Sequence, residues 1–311
     1  MPPLNRAAFL DGEHAGVVTW GVDEKMRSVS VTVRTPAWSR TDVATGVWSF
    51  ALAVLTTADG ALLAQVCNGR LQVDRGDSFS ISPGQVRGVG ARVCWATGPG
   101  RVCVFAGPDG LYSHAVDDGV TTRLFSPEGG EVPVAIDARF VRGGIEFEAV
   151  YEKYRVHGRT GPGGVDPQVV PARGRGGLGV GIGGACLLDV GGFAVIRTPA
   201  GGSFDVGGVD QTWYDGRWVE NDGRVWDLRR PDDAPFAATG DPAFGSCDDG
   251  SVFVRDGGQT RWLTLSSHRM ARNLCAWGRG CGERLAAAAL LVLVLAVMAQ
   301  WLLRVTYSGQ I

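Results

Sequence analysis

Eight Asp-Gly dipeptides punctuate this 311-residue chain, starting at Asp11, Asp59, Asp109, Asp118, Asp215, Asp222, Asp249 and Asp256, and Asn68-Gly69 makes a ninth such step. Each supplies the positive φ angles that a two-residue hairpin turn requires, so each predicts a strand reversal. Between them lie short β-type runs at residues 28–33, 47–55, 61–67, 90–95, 102–105, 132–138 and 145–150. A second set occupies 185–190, 193–197, 212–214, 217–220, 224–228, 251–255 and 260–265. No long stretch ahead of residue 285 carries convincing helical periodicity. The expectation is an all-β protein, a sandwich or distorted barrel of short hairpin-connected strands, followed by one C-terminal transmembrane helix.

Composition divides the chain. Residues 159–184 hold ten glycines and three prolines, which predicts a linker or long loop between an N-terminal β domain (1–158) and a second β region (185–266). A basic juxtamembrane segment (267–284), an anchor (285–303) and a short distal tail (304–311) complete the plan.

The anchor rests on hydropathy. From Leu285 through Leu291, Leu295 and Trp301 to Leu303, Gln300 is the one polar side chain. Nineteen such residues reach about 28 Å as a helix, enough to cross a hydrocarbon core. With eight residues beyond it, the segment reads as a tail anchor inserted after synthesis. Arg269, Arg272, Arg279 and Arg284 crowd its proximal side while Arg304 stands alone beyond it, which places the N-terminal bulk in the cytosol. Met270, Leu274 and Trp277 fall at i, i+4, i+7, the layout of a short interfacial helix, and those arginines with Trp277 are candidate lipid contacts. Cys275 and Cys281 stand where juxtamembrane S-palmitoylation occurs.

Several function classes find no support in the residues. Net charge is −2, so no global basic field points to nucleic acid. The seven cysteines form no Cys-x-x-Cys pair, and the four histidines lie far from zinc-ligand spacing, so no metal or cofactor is expected. Cys67, Cys94 and Cys103 sit in apolar runs and read as small core residues. Nucleophile-elbow, zincin and Walker patterns are missing, and no catalytic residue is assigned. Gly174 to Gly179 satisfies Gly-x-Gly-x-x-Gly, but more glycine follows where a dinucleotide site needs a helix.

Two resemblances add to this reading. Of 30 basic residues, 28 are arginine, and with 47 glycines this is the signature of GC-rich codons. Together with the tail anchor, it resembles the accessory membrane proteins of GC-rich alphaherpesviruses. Separately, the stretch from Arg173 to Gly179 is similar to the glycine-rich, phosphate-covering tail motif of dUTPases. Phe79-Ser-Ile-Ser-Pro-Gly84 followed by Val93-Cys-Trp95 resembles that family's strand–Pro-Gly–strand segment. The Ser/Thr positions of the glycine tail are Val180 and Gly181, however, so any kinship implies the β-fold and not the hydrolase.

Trp213, Trp218 and Trp226 are candidate partner-contact residues. Trp218 and Trp226 flank an Asp-Gly turn and could pair across a hairpin, and tryptophan with arginine dominates interface hot spots. The function expected is a non-enzymatic viral adaptor: a cytosolic β domain on an internal host membrane or virion envelope, with the lipid bilayer and an unidentified viral or host protein as partners. The alternative is an inactive or divergent dUTPase-related nucleotide-binding domain tethered to membrane.

Overall fold

The computed structural model describes residues 5–263 apart from 12–13, 88–89, 99, 172–176, 216–217, 234, 238–243, 247–251 and 257–258. They form seven consecutive antiparallel meanders. Sheet 1 is β1 (Asn5–Asp11), β2 (His14–Asp23), β3 (Ser28–Arg34) and β4 (Ser39–Thr45). Sheet 2 is β5 (Phe50–Thr57), β6 (Gly60–Cys67) and β7 (Arg70–Arg75). Sheet 3 holds β8 (Val93–Trp95), β9 (Val102–Gly107), β10 (Gly110–Ala115) and β11 (Val120–Phe125). Sheet 4 holds β12 (Ala135–Val141), β13 (Gly144–Val150), β14 (Tyr154–Gly161) and β15 (Gly164–Pro171). Sheet 5 is β16 (Gly177–Gly181), β17 (Ala185–Val190), β18 (Phe193–Arg197) and β19 (Ser203–Gly208). Sheet 6 is β20 (Trp213–Asp215), β21 (Trp218–Asn221), β22 (Arg224–Asp227) and β23 (Phe236–Ala237), and sheet 7 is β24 (Phe244–Ser246), β25 (Val252–Asp256) and β26 (Gln259–Leu263).

Burial shows how the sheets stack. A sandwich leaves one face of each sheet in water, so buried and exposed residues alternate along its strands. Here β5, β6, β9 and β13 are buried almost continuously, on both faces. The outer strands β4, β11 and β15 are almost wholly exposed. Sheets 2, 3 and 4 therefore each lie between two others, with their early strands inside and their last strand at the rim. First strands pack on first strands, β5 against β1 and β8, and β12 against β8 and β16. β24 lies against β1 and β5, which brings the last sheet back to the first. This is a β-propeller with five four-stranded sheets and two three-stranded ones.

The expected sandwich or barrel is thus corrected. Strand type is legible in the residues, but the repeat is not. First strands begin at residues 5, 50, 93, 135, 177, 213 and 244, a spacing typical of propeller blades. Residues 159–171, placed in a linker by composition, finish β14 and form β15, a rim strand that pairs with β14 from Tyr154↔Pro171 to Gly161↔Gly164. An exposed rim strand needs few apolar side chains, so its composition resembles a loop.

The sheets are glued by separate apolar seams. Phe9, Val18, Val31, Val54, Leu63 and Phe79 fill the space between sheets 1 and 2. Leu55, Ala64, Trp95 and Cys103 lie between sheets 2 and 3, where Trp95 Nε1 donates to Ala53 O at 3.1 Å. Val104, Leu111, Ile136 and Phe147 join sheets 3 and 4. Leu187, Ile196, Val219, Trp226 and Leu228 join sheets 5 and 6. Between sheets 4 and 5 the buried apolar cluster shrinks to Ala135, Val150 and Val180.

No helix among the described residues is long and apolar enough to cross a membrane. The expected anchor, its arginine-rich flank, and Cys275 and Cys281 lie outside the described residues.

Candidate functional site

Charge replaces the missing apolar seam between sheets 4 and 5. The register pairs Asp137 with Glu148 and Arg139 with Glu146 across β12 and β13, then Glu148 with His157 and Glu146 with Arg159 across β13 and β14. Residues paired across an antiparallel ladder share a face, and so do residues two apart. Asp137, Arg139, Glu146, Glu148, Arg155, His157 and Arg159 therefore line one face of sheet 4, and Ile136, Ala138, Phe147 and Val156 the other.

The carboxylates on that face are taken up by neighbours. Arg139 Nε donates to Glu146 Oε2 at 2.6 Å, and Arg159 and His157 lie 3.5 and 3.4 Å from Glu146 Oε1. Arg155 Nη1 meets Glu148 Oε1 at 3.2 Å, while the Gly183 amide donates to Glu148 Oε2 at 3.3 Å. The Ile182 amide donates to Asp137 Oδ2 at 2.8 Å. Two of these bonds come from the β16–β17 turn, so sheet 5 docks on sheet 4 through amide-to-carboxylate contacts. Arg229, just beyond β22, completes the joint. It donates to both Asp137 oxygens at 2.8 and 2.5 Å, to Thr97 Oγ1 at 2.6 Å and to Ala138 O at 2.8 Å.

Electrostatics follow from burial and pairing. Burial raises Glu148 from 4.5 to about 7, against the opposing pull of Arg155 and the Gly183 amide, and Asp137 and Glu146 push it further up. Burial also raises Glu146, but Arg139, His157 and Arg159 outweigh it and hold this carboxyl below its usual value. Burial disfavours the Arg229 cation, yet Asp137 more than compensates, and its pKa rises. Every carboxylate on this face is thus committed to a guanidinium, an imidazole or an amide. The arrangement joins blades; it holds no carboxyl pair open to a substrate. Among the described residues no group of three or more His, Cys, Asp and Glu side chains is placed to hold a metal ion.

The surface with uncommitted binding groups lies elsewhere, on loops at one end of sheets 1 and 2. Arg27, in the β2–β3 turn, places its Cζ 3.8 Å from the Trp48 ring centroid, and Arg87 from the long β7–β8 connection places its own at 4.9 Å. Trp48 is 37% exposed, and Met26 and Val86, next in sequence to the two arginines, are 72% and 38% exposed. Asn68, itself buried, ties the Trp48 and Arg87 loops together. Its Oδ1 accepts from the Trp48 amide at 2.7 Å and the Ser49 amide at 3.2 Å, and its Nδ2 donates to Gly46 O at 2.8 Å and Gly84 O at 3.0 Å. Val47 N also donates to Arg27 O at 2.8 Å. Among the described residues neither Arg27 nor Arg87 pairs with a carboxylate. Sequence reasoning misses this site because Arg27, Trp48 and Arg87 are far apart in the chain. The signal available is Asn68-Gly69, which by itself marks only a turn.

The tryptophans singled out from sequence sit in sheet 6. Register pairs Trp218 with Asp227 and Val219 with Trp226, so the two indoles point to opposite faces and do not stack across the hairpin. Both are buried, and Trp226 belongs to the seam with sheet 5. Trp213 begins β20. Of the dUTPase-like segments, residues 79–84 form no strand, and Gly177 to Gly179 open β16, which pairs with β17. The strand–Pro-Gly–strand unit expected there is absent among the described residues.

No family model matches the chain, and no curated protein matches it. Solved structures with similar backbones include BBS1N in complex with ARL6DN, at 10% identity over 86% of this chain and 93% of that one, with a TM-score of 0.45. A catalytically inactive variant of virginiamycin B lyase from Staphylococcus aureus, with quinupristin, is similar at 11% identity, 83% and 94% coverage and a TM-score of 0.36. The WD40 domain of Toxoplasma gondii coronin is similar at 10% identity, 84% and 70% coverage and a TM-score of 0.37. Likeness this distant carries nothing about function, and the propeller assignment stands on this chain's own strand order and burial.

Proposed function

We propose that this chain is a non-enzymatic interaction scaffold, a propeller that recruits a protein partner while its apolar C-terminal run, residues 285–303, holds it at a membrane. The observation that carries the reading is the Arg27–Trp48–Arg87 cluster, an exposed aromatic ring bearing two guanidiniums on loops tied by Asn68 and by the Val47 N to Arg27 O bond. Tryptophan and arginine on a rigid surface are the groups that dominate protein–protein binding energy. The dense cluster of titratable groups on sheet 4 is committed to joining blades, which favours a scaffold over an enzyme.

Proximity labelling from the full-length chain in cells tests the scaffold. The expected result is a protein set enriched over a control carrying residues 267–311 alone. An identical set from the two would sink the reading. The tether is tested by protease protection: an N-terminal tag is digested in sealed membranes and a C-terminal tag is protected. Protection of the N-terminal tag would show that the propeller does not face the cytosol.

A further inference from the structure

We propose that the Arg27–Trp48–Arg87 face binds an acidic, extended segment of a partner protein, with carboxylates two residues apart reaching the two guanidiniums. This inference rests on the scaffold reading and names the chemistry of its partner.

Four observations converge. First, both Cζ atoms lie close to one ring centroid, at 3.8 and 4.9 Å, so the two guanidiniums are less than 9 Å apart. Like charges at that separation repel, and among the described residues neither guanidinium forms an ion pair with a carboxylate. An arriving pair of carboxylates removes the repulsion and can form bidentate bonds to each planar fork. Second, in an extended chain residues i and i+2 point the same way about 7 Å apart, a span within that limit. Third, Met26 and Val86 add exposed apolar surface beside the charged groups, which suits side chains flanking the carboxylates. Fourth, the loops are already ordered. Asn68 bonds to both sides of the β4–β5 connection and to Gly84, so binding freezes little additional backbone.

An anionic bilayer would present the same charge, but the surface discriminates against it. Asp23 and Glu24 share the turn that carries Arg27, and the Asp23 carboxylate is fixed there by the Met26 amide at 2.9 Å. A flat sheet of lipid phosphates would meet those acids together with the arginines. A narrow extended segment can lie across Trp48 and avoid them.

The test uses the full chain in nanodiscs of neutral lipid and a fluorescent 12-residue peptide with glutamate at alternate positions and leucine between. Polarisation should report saturable binding, weakened about tenfold or more by Arg27→Glu with Arg87→Glu, and by Trp48→Ala. The same peptide with glutamine for glutamate should bind about tenfold more weakly. Arg87→Glu alone, on an exposed side chain, guards against misfolding as the cause, with thermal unfolding as the check. Equal affinity for the two peptides, or wild-type affinity in the double arginine variant, overturns the inference. So does protection of Arg27 and Arg87 from phenylglyoxal by phosphatidylserine vesicles but not by the peptide, which would assign the face to a membrane. If proximity labelling recovers partners whose yield is unchanged in the double variant, this inference fails and the scaffold stands. If no partner is recovered at all, the scaffold itself fails.

Discussion

Arg229 and Asp137 are 92 residues apart in the chain and meet through two parallel hydrogen bonds, with only 7% and 3% of their side chains exposed. The remaining donors of the guanidinium reach Thr97 Oγ1 and Ala138 O, so one side chain ties the β22–β23 connection of sheet 6 to β12 of sheet 4 and to the segment just after β8 of sheet 3. A propeller is held chiefly by contacts between neighbouring blades. This pair instead links sheets that are not consecutive.

Removing one partner of a buried ion pair leaves a charge without compensation, which typically costs about 3–5 kcal/mol. Residues 1–263 form one compact unit, and Arg229→Met should therefore destabilise it by about that amount in urea unfolding, and Asp137→Asn by a comparable amount. The double variant should cost much less than the two singles added together, because no lone charge remains. Additive losses would show that the two residues act independently and that the linkage is incidental.

Stability should also depend on pH through Glu148. Its folded-state pKa is raised from 4.5 to about 7, so the folded protein binds this proton more tightly than the unfolded chain. The resulting stabilisation is fully present below pH 4.5 and is lost as pH rises through 7. Glu146, held below its usual value, has the opposite sign and acts at more acidic pH. Through Glu148, the melting temperature of the unit 1–263 should fall between about pH 5 and about pH 8. Glu148→Gln should flatten that fall. A slope unchanged by the substitution would mean that Glu148 is ionised throughout.

The Asp-Gly steps show how much of the fold is legible in the amino-acid sequence. All eight, and Asn68-Gly69, lie along the chain between consecutive antiparallel strands of one sheet. The positive φ needed at such turns leaves few residue choices, so the signal is local and survives in sequence. β17 and β18 coincide with the runs expected at 185–190 and 193–197 because Leu187, Leu188, Ala194 and Ile196 give them buried apolar positions. Half of the strands that escape notice, β4, β7, β11, β15, β19 and β23, close their sheets, and the exposed faces of β4, β11, β15 and β19 select little that is apolar; β1, β2, β10, β14, β16 and β24 escape as well. Without them the blade repeat cannot be counted, and a sandwich is the natural expectation. The Trp48 site is hidden for a different reason: three loops from two sheets build it, and no local spacing marks their convergence.

Glycine opposite phenylalanine offers a packing test. Phe147 pairs with Gly158 across β13 and β14, and Phe9 pairs with Gly16 across β1 and β2. A Cβ at Gly158 would meet the Phe147 ring, itself fully buried. Gly158→Ala should cost about 1–3 kcal/mol through overpacking. Gly161→Ala, at a position open on all sides, should change stability little. Equal effects at the two positions would argue against the ring lying over Gly158.

Burial makes the core thiols inert. Desolvation pushes Cys67 up to about 11 and Cys103 up to about 12, and the neutral thiol is a poor nucleophile. Residue-resolved labelling of the native unit 1–263 by iodoacetamide at about pH 8 should leave both unmodified, while denaturant exposes them to rapid reaction. Labelling of Cys103 under native conditions at the unfolded rate would contradict its placement between sheets 2 and 3.

Asn68 sets the geometry on which the binding face depends. It sits in the β6–β7 turn at φ +50°, followed by Gly69 at +74°, a pair of left-handed residues that matches the twist of the hairpin. Its side chain makes four hydrogen bonds to two other loops while being only 2% exposed. Asn68→Gly keeps the backbone conformation and removes those bonds, orphaning polar groups at a cost of about 1–3 kcal/mol. Asn68→Ala adds the left-handed strain of a Cβ, about 1–2 kcal/mol more. The glycine variant is the informative one, because Arg27, Trp48 and Arg87 are all still present in it. If Asn68 orders their loops, acidic-peptide affinity should fall several-fold in Asn68→Gly although no contacting side chain has changed. Wild-type affinity in that variant, with the expected loss of stability, would show that the arginines find Trp48 without Asn68 and that the face is not preorganised.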